Sequence, residues 1–370
     1  MIYFDSAATT LQKPPSVAEA VRRAVSTHAS VGRGGHPAAE RAAQTVFACR
    51  TLAAELFDAA PEQVVFTMNA THGLNLAIKT LVKPGSRVIV SGFEHNAVMR
   101  PLHTLGAELT VVGTALFRPD RLLEELAQAL ALLPSAVVCT HVSNVFGYIL
   151  PLADIAALCR MHGVPLIVDA SQSAGTLPVS LEKTGAAFIA MPGHKGLYGP
   201  QGTGLLLCAQ VGEPLLEGGT GSNSELMTMP DFLPDRLEAG THNVCGIAGL
   251  LEGLRFVQKT TPARILHREE ALTRLLREKT ADIPALHGYF GRPQSGVVSF
   301  RTAGMDCEEA AQRLAAEGIA VRAGLHCAPR AHRSAGTLGC GTLRVSFSAF
   351  NTPAEVMRFA AICNRMFSKK

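Results

Sequence analysis

The sequence lacks the features that mark membrane, secreted and nucleic-acid-binding proteins. No stretch approaches the ~20 consecutive apolar residues of a membrane-spanning helix. The first residues have neither the charged start nor the apolar run of a signal peptide. The 34 Lys and Arg are spread along the chain, without a basic block, and the formal net charge is only +4. We therefore expect a cytoplasmic protein that binds neither a membrane nor a nucleic acid.

Cysteine patterns typical of zinc sites and disulfide frameworks are also absent. The nine cysteines form no CxxC pair and no group with histidine at zinc-ligand spacing. We expect free thiols in a reducing compartment and no bound metal. Most of the cysteines lie in apolar segments, as Cys139 and Cys208 do, where a cysteine is typical of a protein core. Cys327 is the exception.

Apolar residues make up 47% of the 370 residues and charged residues 17%, which is typical of a globular protein. The length favours one large domain and one smaller domain. Seven short apolar segments alternate with helical patterns, and we interpret them as strands at 64–66, 87–90, 109–112, 136–139, 165–168, 187–190 and 204–207. Such continuous apolar strands are typical of a sheet covered on both faces. The pattern predicts an α/β fold with a mainly parallel seven-stranded sheet.

Helices complete this prediction. Two precede the sheet at 16–28 and 38–57. Between the strands, a leucine stripe at 122, 123, 126, 130 and 133 predicts one helix. Asp154 is the expected N-terminal cap of the next helix. Beyond Gly246 we expect a long helical stretch to about Lys279, and then a smaller α+β domain with strands at 297–300, 320–322 and 343–346 and helices at 308–317 and from 353. No linker marks the boundary, which lies somewhere in 240–260. We assign 15–245 to the large domain, and 1–14 with 246–370 to the small one.

Ligands of open α/β sheets bind beyond the carboxyl ends of the strands, and three polar segments lie at such ends. Asp169 ends one apolar strand, and Lys195 follows another in a glycine-rich loop. Asn69 to Gly73 lies between a strand and a helical run, which is a place for an anion at a helix N-terminus. Taken singly, each segment has a simpler interpretation, namely a cap, a turn or a solvated lysine. Together they match what a pyridoxal 5′-phosphate (PLP) enzyme needs: an amine, an acid for the pyridine nitrogen and a phosphate cradle.

Seven motifs occur in a set order along the chain: Asn69-Ala70-Thr71-His72-Gly73, Glu94-His95-Asn96, His141-Val142-Ser143-Asn144, Asp169-Ala170-Ser171-Gln172, Gly193-His194-Lys195, Val321-Arg322-Ala323-Gly324-Leu325-His326-Cys327 and Leu343-Arg344-Val345-Ser346. This order resembles the class V aminotransferases, which have the type I PLP-dependent transferase fold. The last two motifs are similar to those of cysteine desulfurases and selenocysteine lyases of the second, short-loop type. The resemblance runs from Tyr3 to Thr352.

The resemblance implies PLP as the cofactor and a role for each matching residue. Lys195 would carry the cofactor as a Schiff base and move the substrate's Cα proton. Asp169 would pair with the pyridine nitrogen, and Gln172 with the ring hydroxyl. His95 would stack on the ring and act as acid or base toward the substrate thiol. The implied phosphate contacts are Thr71, His72, His194 and Thr241, the last reaching across from a partner subunit.

The resemblance also implies the chemistry at the substrate. Asn144 and Arg344 would bind its carboxylate, since arginine can make two parallel hydrogen bonds to such a group. Cys327 would take the sulfur of L-cysteine as a persulfide and release L-alanine. Arg322 and His326 lie close enough in sequence to favour the Cys327 thiolate and contact substrate. A sulfur-acceptor protein would then receive the sulfur from Cys327.

Other interpretations stay open at this point. L-selenocysteine is an alternative substrate, and a transaminase-type enzyme or a PLP-binding sulfur-transfer scaffold is an alternative function. Two positions depart from the motifs: Pro192 replaces a serine expected near the phosphate, and segment 33–36 contains an extra glycine before His36. Segment 218–222 and Thr241 resemble loops that complete a neighbour's site, so we expect a homodimer.

Overall fold

The computed structural model describes residues 1–32 and 34–368. The strands are β1 Ile2–Tyr3, β2 Val64–Thr67, β3 Arg87–Ser91, β4 Glu108–Val112, β5 Ala136–Thr140, β6 Leu166–Asp169, β7 Phe188–Pro192, β8 Gly204–Cys208, β9 Leu286–Gly288, β10 Val297–Thr302, β11 Ile319–Ala320, β12 Arg322–Gly324 and β13 Thr342–Ser346. The helices are α1 Pro15–Thr27, α2 Pro37–Leu56, α3 Ala70–Leu81, α4 Asn96–Thr104, α5 Pro119–Leu130, α6 Leu152–Met161, α7 Leu181–Thr184, α8 Val244–Thr260, α9 Pro262–Thr280, α10 Cys307–Ala316, α11 Pro329–Ser334 and α12 Pro353–Ser368.

The large sheet has seven strands in the order β2-β8-β7-β6-β5-β3-β4. Strands β4, β3, β5, β6 and β7 are parallel, whereas β8 is antiparallel to both of its neighbours. Side chains of one strand alternate between two core clusters: Val137 and Cys139 join one, and Ala136 and Val138 the other. Both faces of the sheet are therefore covered by helices, which explains the continuous apolar runs. The predicted mainly parallel seven-stranded sheet is confirmed.

Three details of the helix prediction were wrong. Leu133 lies beyond the end of α5 and is 75% exposed, so it is not part of the buried stripe. Asp154 lies in the first turn of α6, whose N-cap residue is Pro151. The long helical stretch is two helices, because Thr261 adopts a φ of 71° and Pro262 begins α9. Proline is favoured in the first turn of a helix and cannot donate in the middle of one.

A second sheet has the order β12-β13-β10-β9, and β1 pairs in parallel with β11. The predicted strand at 320–322 is divided between β11 and β12. Phe4 packs in the same apolar cluster as residues of β10, β13 and α12. Helix α8, by contrast, contributes Ile247 and Leu250 to the core of the large sheet. The proposed boundary at 246 falls within α8, and packing places that helix with the large sheet.

The site elements lie where the two sheets meet. Asp5, just after β1, forms an isolated bridge with Ser346 of β13, and Asn144, after β5, bonds to the connection between β12 and β13. The carboxyl ends of β5, β6 and β7 therefore face residues of the smaller sheet. Among the described residues, no helix has both the length and the apolar character needed to cross a bilayer.

Candidate active site

A cavity of about 190 Å³ opens at the carboxyl ends of β5, β6 and β7. Seven of the predicted site residues line it: Thr71, His95, Asn144, Asp169, Gln172, His194 and Lys195. They come from four strand ends and from the N-terminus of α3, because parallel strands bring their carboxyl ends to one edge. The Asp169 carboxylate accepts a hydrogen bond from the Ser171 N–H at 2.9 Å, and the Gln172 amide donates to the Ala7 carbonyl.

The Lys195 ammonium is costly to maintain in this cavity. Burial lowers its pKa to about 8, while the Asp169 carboxylate acts in the opposite direction and limits the shift. The main chain around the lysine is held by the N-terminal segment, since the hydroxyls of Thr9 and Thr10 donate to the His194 carbonyl at 3.1 Å. The result is a fixed amine that is substantially neutral near pH 8 and hence nucleophilic.

His95 is held at the start of α4. Its Nδ1 accepts the Ala97 N–H at 3.0 Å, so the neutral ring carries its proton on Nε2. Burial lowers the pKa of His95, with Asp169 opposing the shift. The adjacent Glu94 is completely buried, and burial raises its pKa to about 8. One Glu94 oxygen accepts the Thr140 N–H at 2.9 Å, and this hydrogen bond joins the loop after β3 to β5.

Two arginines share one carboxylate beside the cavity. Arg344, whose side chain is 2% exposed, donates from Nη2 to Asp5 at 2.9 Å and from Nη1 to the Asn144 carbonyl at 2.9 Å. Arg322 is half exposed and donates to the same Asp5 carboxylate from Nε and Nη2. The Arg344 Nε is buried with no partner among the described residues. Asp5 thus fixes both guanidinium groups at the place where a substrate carboxylate is expected.

Cys327 is exposed and lies in a tight loop that the cavity wall holds in place. His326 and Cys327 have φ values of 50° and 55°, in the left-handed region that side chains disfavour. Three contacts maintain the loop: the Asn144 amide donates to the His326 carbonyl at 2.8 Å, the Asn96 N–H donates to the Cys327 carbonyl at 2.8 Å, and His326 Nε2 contacts the Thr342 carbonyl. Asn144 therefore joins the cavity to the cysteine loop.

The structure corrects the electrostatic role expected of His326. Burial, together with the positive charge of Arg344, lowers its pKa to about 2. The ring is neutral at every pH at which the protein would work, so it supplies no positive charge to favour a thiolate at Cys327. Arg322 is close enough to Cys327 for the two charges to interact. A cation near the thiol is therefore Arg322, not His326.

Two expected phosphate contacts lie elsewhere. His72 and Thr241 line a separate cavity of about 220 Å³, beside Phe66 and Gly202. Neither lines the Lys195 cavity of the same chain. In the segment 33–36, His36 caps α2 by accepting the Ala39 N–H, and Arg33 lies outside the described residues.

The residues of the Lys195 cavity fit PLP. His194 Nδ1 is buried without a partner among the described residues, which leaves a ring nitrogen for a phosphate oxygen. The first turn of α3 reaches the same cavity through Asn69, Ala70 and Thr71, and helix N-termini favour anions. An acid and a neutral amine complete the set. Within the described part of the chain, no group of three or more His, Cys, Asp or Glu is arranged to hold a metal.

Three contributors to this site were not predicted from the sequence. Asp5 lies in the N-terminal segment, and nothing in the sequence indicates that it binds two arginines more than 300 positions away. Glu94 stands beside His95 in its motif and was given no role; its place shortly after the mostly buried strand β3 was the available signal. Asn96 acts through its backbone N–H, which no side-chain pattern reveals.

Comparison with known proteins agrees with this geometry. The class-V aminotransferase family profile matches residues 2–359. A probable cysteine desulfurase of Pyrococcus abyssi is 30% identical, over 99% of this chain and 94% of its own length. One of Mycolicibacterium paratuberculosis is 32% identical, but this chain spans only 55% of that relative's length. The apo structure of a cysteine desulfurase from Thermococcus onnurineus superposes with a TM-score of 0.92 at 30% identity, covering 100% of this chain and 95% of the other. This chain therefore belongs to the PLP-dependent class-V aminotransferase family, among the cysteine desulfurases.

Proposed function

We propose that this protein converts L-cysteine to L-alanine and holds the released sulfur as a persulfide on Cys327. One observation carries the proposal. Asn144 lines the Lys195 cavity and its amide also bonds the His326 carbonyl, so the amine site and the exposed thiol are joined by a single side chain. A transaminase needs no such thiol, and a scaffold needs no lysine whose pKa burial lowers.

The cofactor site is assigned to Lys195, Asp169, Gln172, Thr71, His194 and His95. When bound, PLP supplies an electron sink conjugated to the substrate's Cα. The Asp169 carboxylate would keep a positive charge on the pyridine nitrogen, and Arg344 with Asn144 would orient the substrate carboxylate. Lys195, whose pKa burial lowers to about 8, is suited to take up and return a proton at Cα. Neutral His95 has an Nε2–H that would donate a hydrogen bond to the substrate sulfur.

Cys327 completes the reaction by attacking the substrate sulfur. The S–S bond forms as the C–S bond breaks, and the electron pair of the C–S bond remains with the substrate carbon. The sulfur is thereby oxidised to the sulfane level, and the carbon is reduced and later protonated to give the methyl group of alanine. No external oxidant is needed. Arg322 lies close enough to Cys327 for the two charges to interact during this step.

We extend the proposal to assembly, substrate range and compartment. His72 and Thr241 line a cavity outside the Lys195 cavity of their own chain, which fits a homodimer in which each chain completes its partner's phosphate site. L-Selenocysteine fits the same carboxylate contacts and is a second substrate. All nine cysteines are free, which agrees with a reducing cytoplasm.

The test is alanine formation from L-cysteine by wild-type protein, Cys327→Ala and Lys195→Ala, each with a thiol reductant present. Wild-type protein should form alanine and gain the mass of one sulfur atom on the Cys327 peptide when the reductant is omitted. Cys327→Ala should bind PLP normally, because the thiol makes no proposed cofactor contact, and lose turnover of cysteine by two orders of magnitude or more, since the sulfur has no acceptor. Lys195→Ala should lose both activity and the absorbance of lysine-bound cofactor.

A matched control is Cys340→Ala, which removes a second exposed thiol. It should retain cysteine turnover. Turnover of selenocysteine by Cys327→Ala would show that selenium release does not need the thiol. Undiminished cysteine turnover by Cys327→Ala would refute the persulfide step, and loss of PLP from this variant would assign Cys327 a structural role instead.

A further inference from the structure

A second cavity, of about 570 Å³, lies between the end of α2, the start of α6 and the C-terminal half of α8. We call it the His141 cavity, and it shares no lining residue with the Lys195 cavity. Its walls are largely apolar and buried, formed by Phe57, Leu152, Leu177, Val179 and Val257. Cavities of roughly 300–1,000 Å³ with apolar walls and a few polar groups are typical of sites for small organic molecules.

His141 lines this cavity, and its ring has no hydrogen-bond partner among the described residues. The residue is only 7% exposed, and burial lowers its pKa to about 4, so the ring is neutral at neutral pH. Nδ1 is buried and unpaired, and Nε2 makes no hydrogen bond with the described part of the chain. A neutral imidazole has one donor and one acceptor, and leaving such groups unpaired when buried costs free energy. A ligand in the cavity can supply the missing partner.

The charged side chains around the cavity favour a cation. Asp58 is paired with Lys183, since its Oδ2 lies 3.2 Å from the Lys183 Nζ. Asp154, in the first turn of α6, forms neither an ion pair nor a side-chain hydrogen bond with any described residue. All three side chains line the cavity, and together they carry a net negative charge. The unpaired carboxylate of Asp154 is therefore free to attract a positively charged group.

The His141 cavity adjoins the loops that form the Lys195 cavity. The His141 N–H donates to the Asp169 carbonyl at 3.0 Å, so the two cavities are joined by one backbone hydrogen bond. Gly175, which also lines the His141 cavity, packs so closely against the Gly196 carbonyl that no side chain fits between them. Gly196 follows Lys195 directly in the sequence. A ligand that moves His141 or Gly175 would therefore act on the main chain of Asp169 and Lys195.

We propose that the His141 cavity is a second ligand site, which binds a small hydroxylated amine and transmits its occupancy to the cofactor site. The ligand's hydroxyl would bond to His141, its apolar body would lie against Leu177 and Val257, and its ammonium would lie beside Asp154. Binding to the cavity does not depend on the proposed function. Only the effect on the cofactor rests on the roles that the proposed function gives to Lys195 and Asp169.

The test is calorimetric titration of the PLP-loaded enzyme with four probes. N,N-dimethyltyramine has the hydroxyl, the apolar body and the positive charge, and as a tertiary amine it cannot form an imine with PLP. N,N-dimethylphenethylamine lacks the hydroxyl, p-ethylphenol lacks the charge, and p-hydroxyphenylpropionate reverses it. N,N-dimethyltyramine should bind most tightly. Loss of the hydroxyl should weaken binding on the order of tenfold, and loss of the charge about threefold, because Asp154 is exposed.

Two variants separate these contributions. Asp154→Asn should remove the advantage of N,N-dimethyltyramine over p-ethylphenol and leave the Kd of p-ethylphenol unchanged. His141→Phe should bind N,N-dimethyltyramine and N,N-dimethylphenethylamine equally. Each result is a ratio between two probes, which a smaller folded fraction would not change, and Asp154→Asn tests the site even where His141→Phe does not fold. Asp120→Asn, in the first turn of α5 and outside the cavity, is the matched control and should keep the wild-type order.

The same titrations test the connection to the cofactor, because binding of N,N-dimethyltyramine should shift the absorbance band of lysine-bound PLP. Saturation without a change in absorbance would overturn that connection. The site itself would be overturned by absence of binding at millimolar concentration, by equal affinity with and without the hydroxyl, by wild-type probe preferences in Asp154→Asn, or by displacement with L-alanine, which would place the probe in the Lys195 cavity. Failure of the proposed function has a different signature, namely no alanine from L-cysteine by enzyme that still binds the probe.

Discussion

Burial shifts several ionisable side chains around the Lys195 cavity toward their neutral form. It lowers the pKa of Lys195 to about 8 and that of His194 to about 4, and it also lowers that of His95. The carboxylates of Asp5 and Asp169 oppose this effect on Lys195. An amine whose pKa lies near 8, beside imidazoles whose pKa values burial lowers, can take up and release a proton near neutral pH.

The Lys195 pKa leads to a prediction about cofactor capture. Only the neutral amine bonds PLP, so the rate at which cofactor-free enzyme captures PLP should rise with pH and level off above about 8. An ordinary lysine would continue to gain reactivity up to about 10.5. Asp169→Asn removes a charge that favours the ammonium, so its plateau should begin at lower pH. Stopped-flow absorbance at several pH values measures both midpoints.

A wild-type midpoint near that of a solvated lysine would contradict the burial argument. An Asp169→Asn midpoint at higher pH than the wild type would contradict the role given to the Asp169 charge. Arg118, an exposed residue paired with Asp120 on α5, provides a control. Arg118→Gln should leave the midpoint where it is.

At the residue scale, the sequence predicts side chains whose chemistry and place are both local. Asp169 ends one strand and Lys195 follows another, and parallel strands bring such positions together without further information. Asp5 is different, because its importance depends on β1 reaching the end of β13 across the whole chain. The protonation state of His326 is also not local, since it results from burial by residues distant in sequence.

At the element scale, helix α9 carries a carboxyl that the proposed mechanism does not use. Glu269 is buried against Gly296, and burial raises its pKa to about 8 from an ordinary 4.5. The folded protein therefore holds a proton that the unfolded chain releases between pH 4.5 and 8. The free energy of unfolding should fall as pH rises through this window.

Glu269→Gln should make the stability less dependent on pH, because the amide is neutral in both states. Urea unfolding at about pH 5, 6, 7 and 8 gives the free energy of unfolding at each pH, and hence its slope against pH. Glu94, whose pKa burial also raises to about 8, should retain part of the decline in the variant. The half-exposed Glu270 is the matched control, and Glu270→Gln should keep the wild-type slope. An unchanged slope in Glu269→Gln would mean that Glu269 is ionised in the fold.

The helix predictions failed where an element ends. Periodicity extended the α5 stripe to Leu133 and joined α8 to α9, since a pattern of apolar residues continues through a short turn. In the second case, the positive φ at Thr261 and the proline after it separate α8 from α9. Strands of the large sheet were predicted within a residue or two because they are apolar on both faces, whereas β1 and β9 are too short to leave a pattern.

At the scale of the whole molecule, neither sheet alone makes the proposed site. The large sheet supplies Lys195 and Asp169, and the smaller one supplies Arg344 and the loop of Cys327. Asn144, which follows β5 of the large sheet, joins the two groups through hydrogen bonds with Arg344 and with the His326 carbonyl. A substitution at this joint, such as Asn144→Ala, would therefore alter the cysteine loop and the substrate site together.

The proposed homodimer gives the last prediction. The segment before α8 exposes large apolar side chains, with Met227 101% exposed and Leu216 and Leu226 each 56% exposed. Exposed apolar groups of this kind are typical of an interface. The segment is joined to the loop of Thr241, since the Gly240 N–H donates to the Gly219 carbonyl at 2.8 Å. If Thr241 reaches the partner's phosphate site, dissociation and loss of PLP must occur together.

Met227→Asp should therefore weaken both association and cofactor binding, because a carboxylate in an apolar interface is costly to desolvate. Met161→Asp, on α6 at 78% exposure, is the matched control and should change neither. Sedimentation velocity across a dilution series gives the dissociation constant, and PLP titration of the same samples gives cofactor affinity. A wild-type monomer with full PLP affinity, or a Met227→Asp monomer that binds PLP as the wild type does, would show that each chain completes its own phosphate site. In that case, His72 and Thr241 would have to move from their separate cavity to the one that contains Lys195.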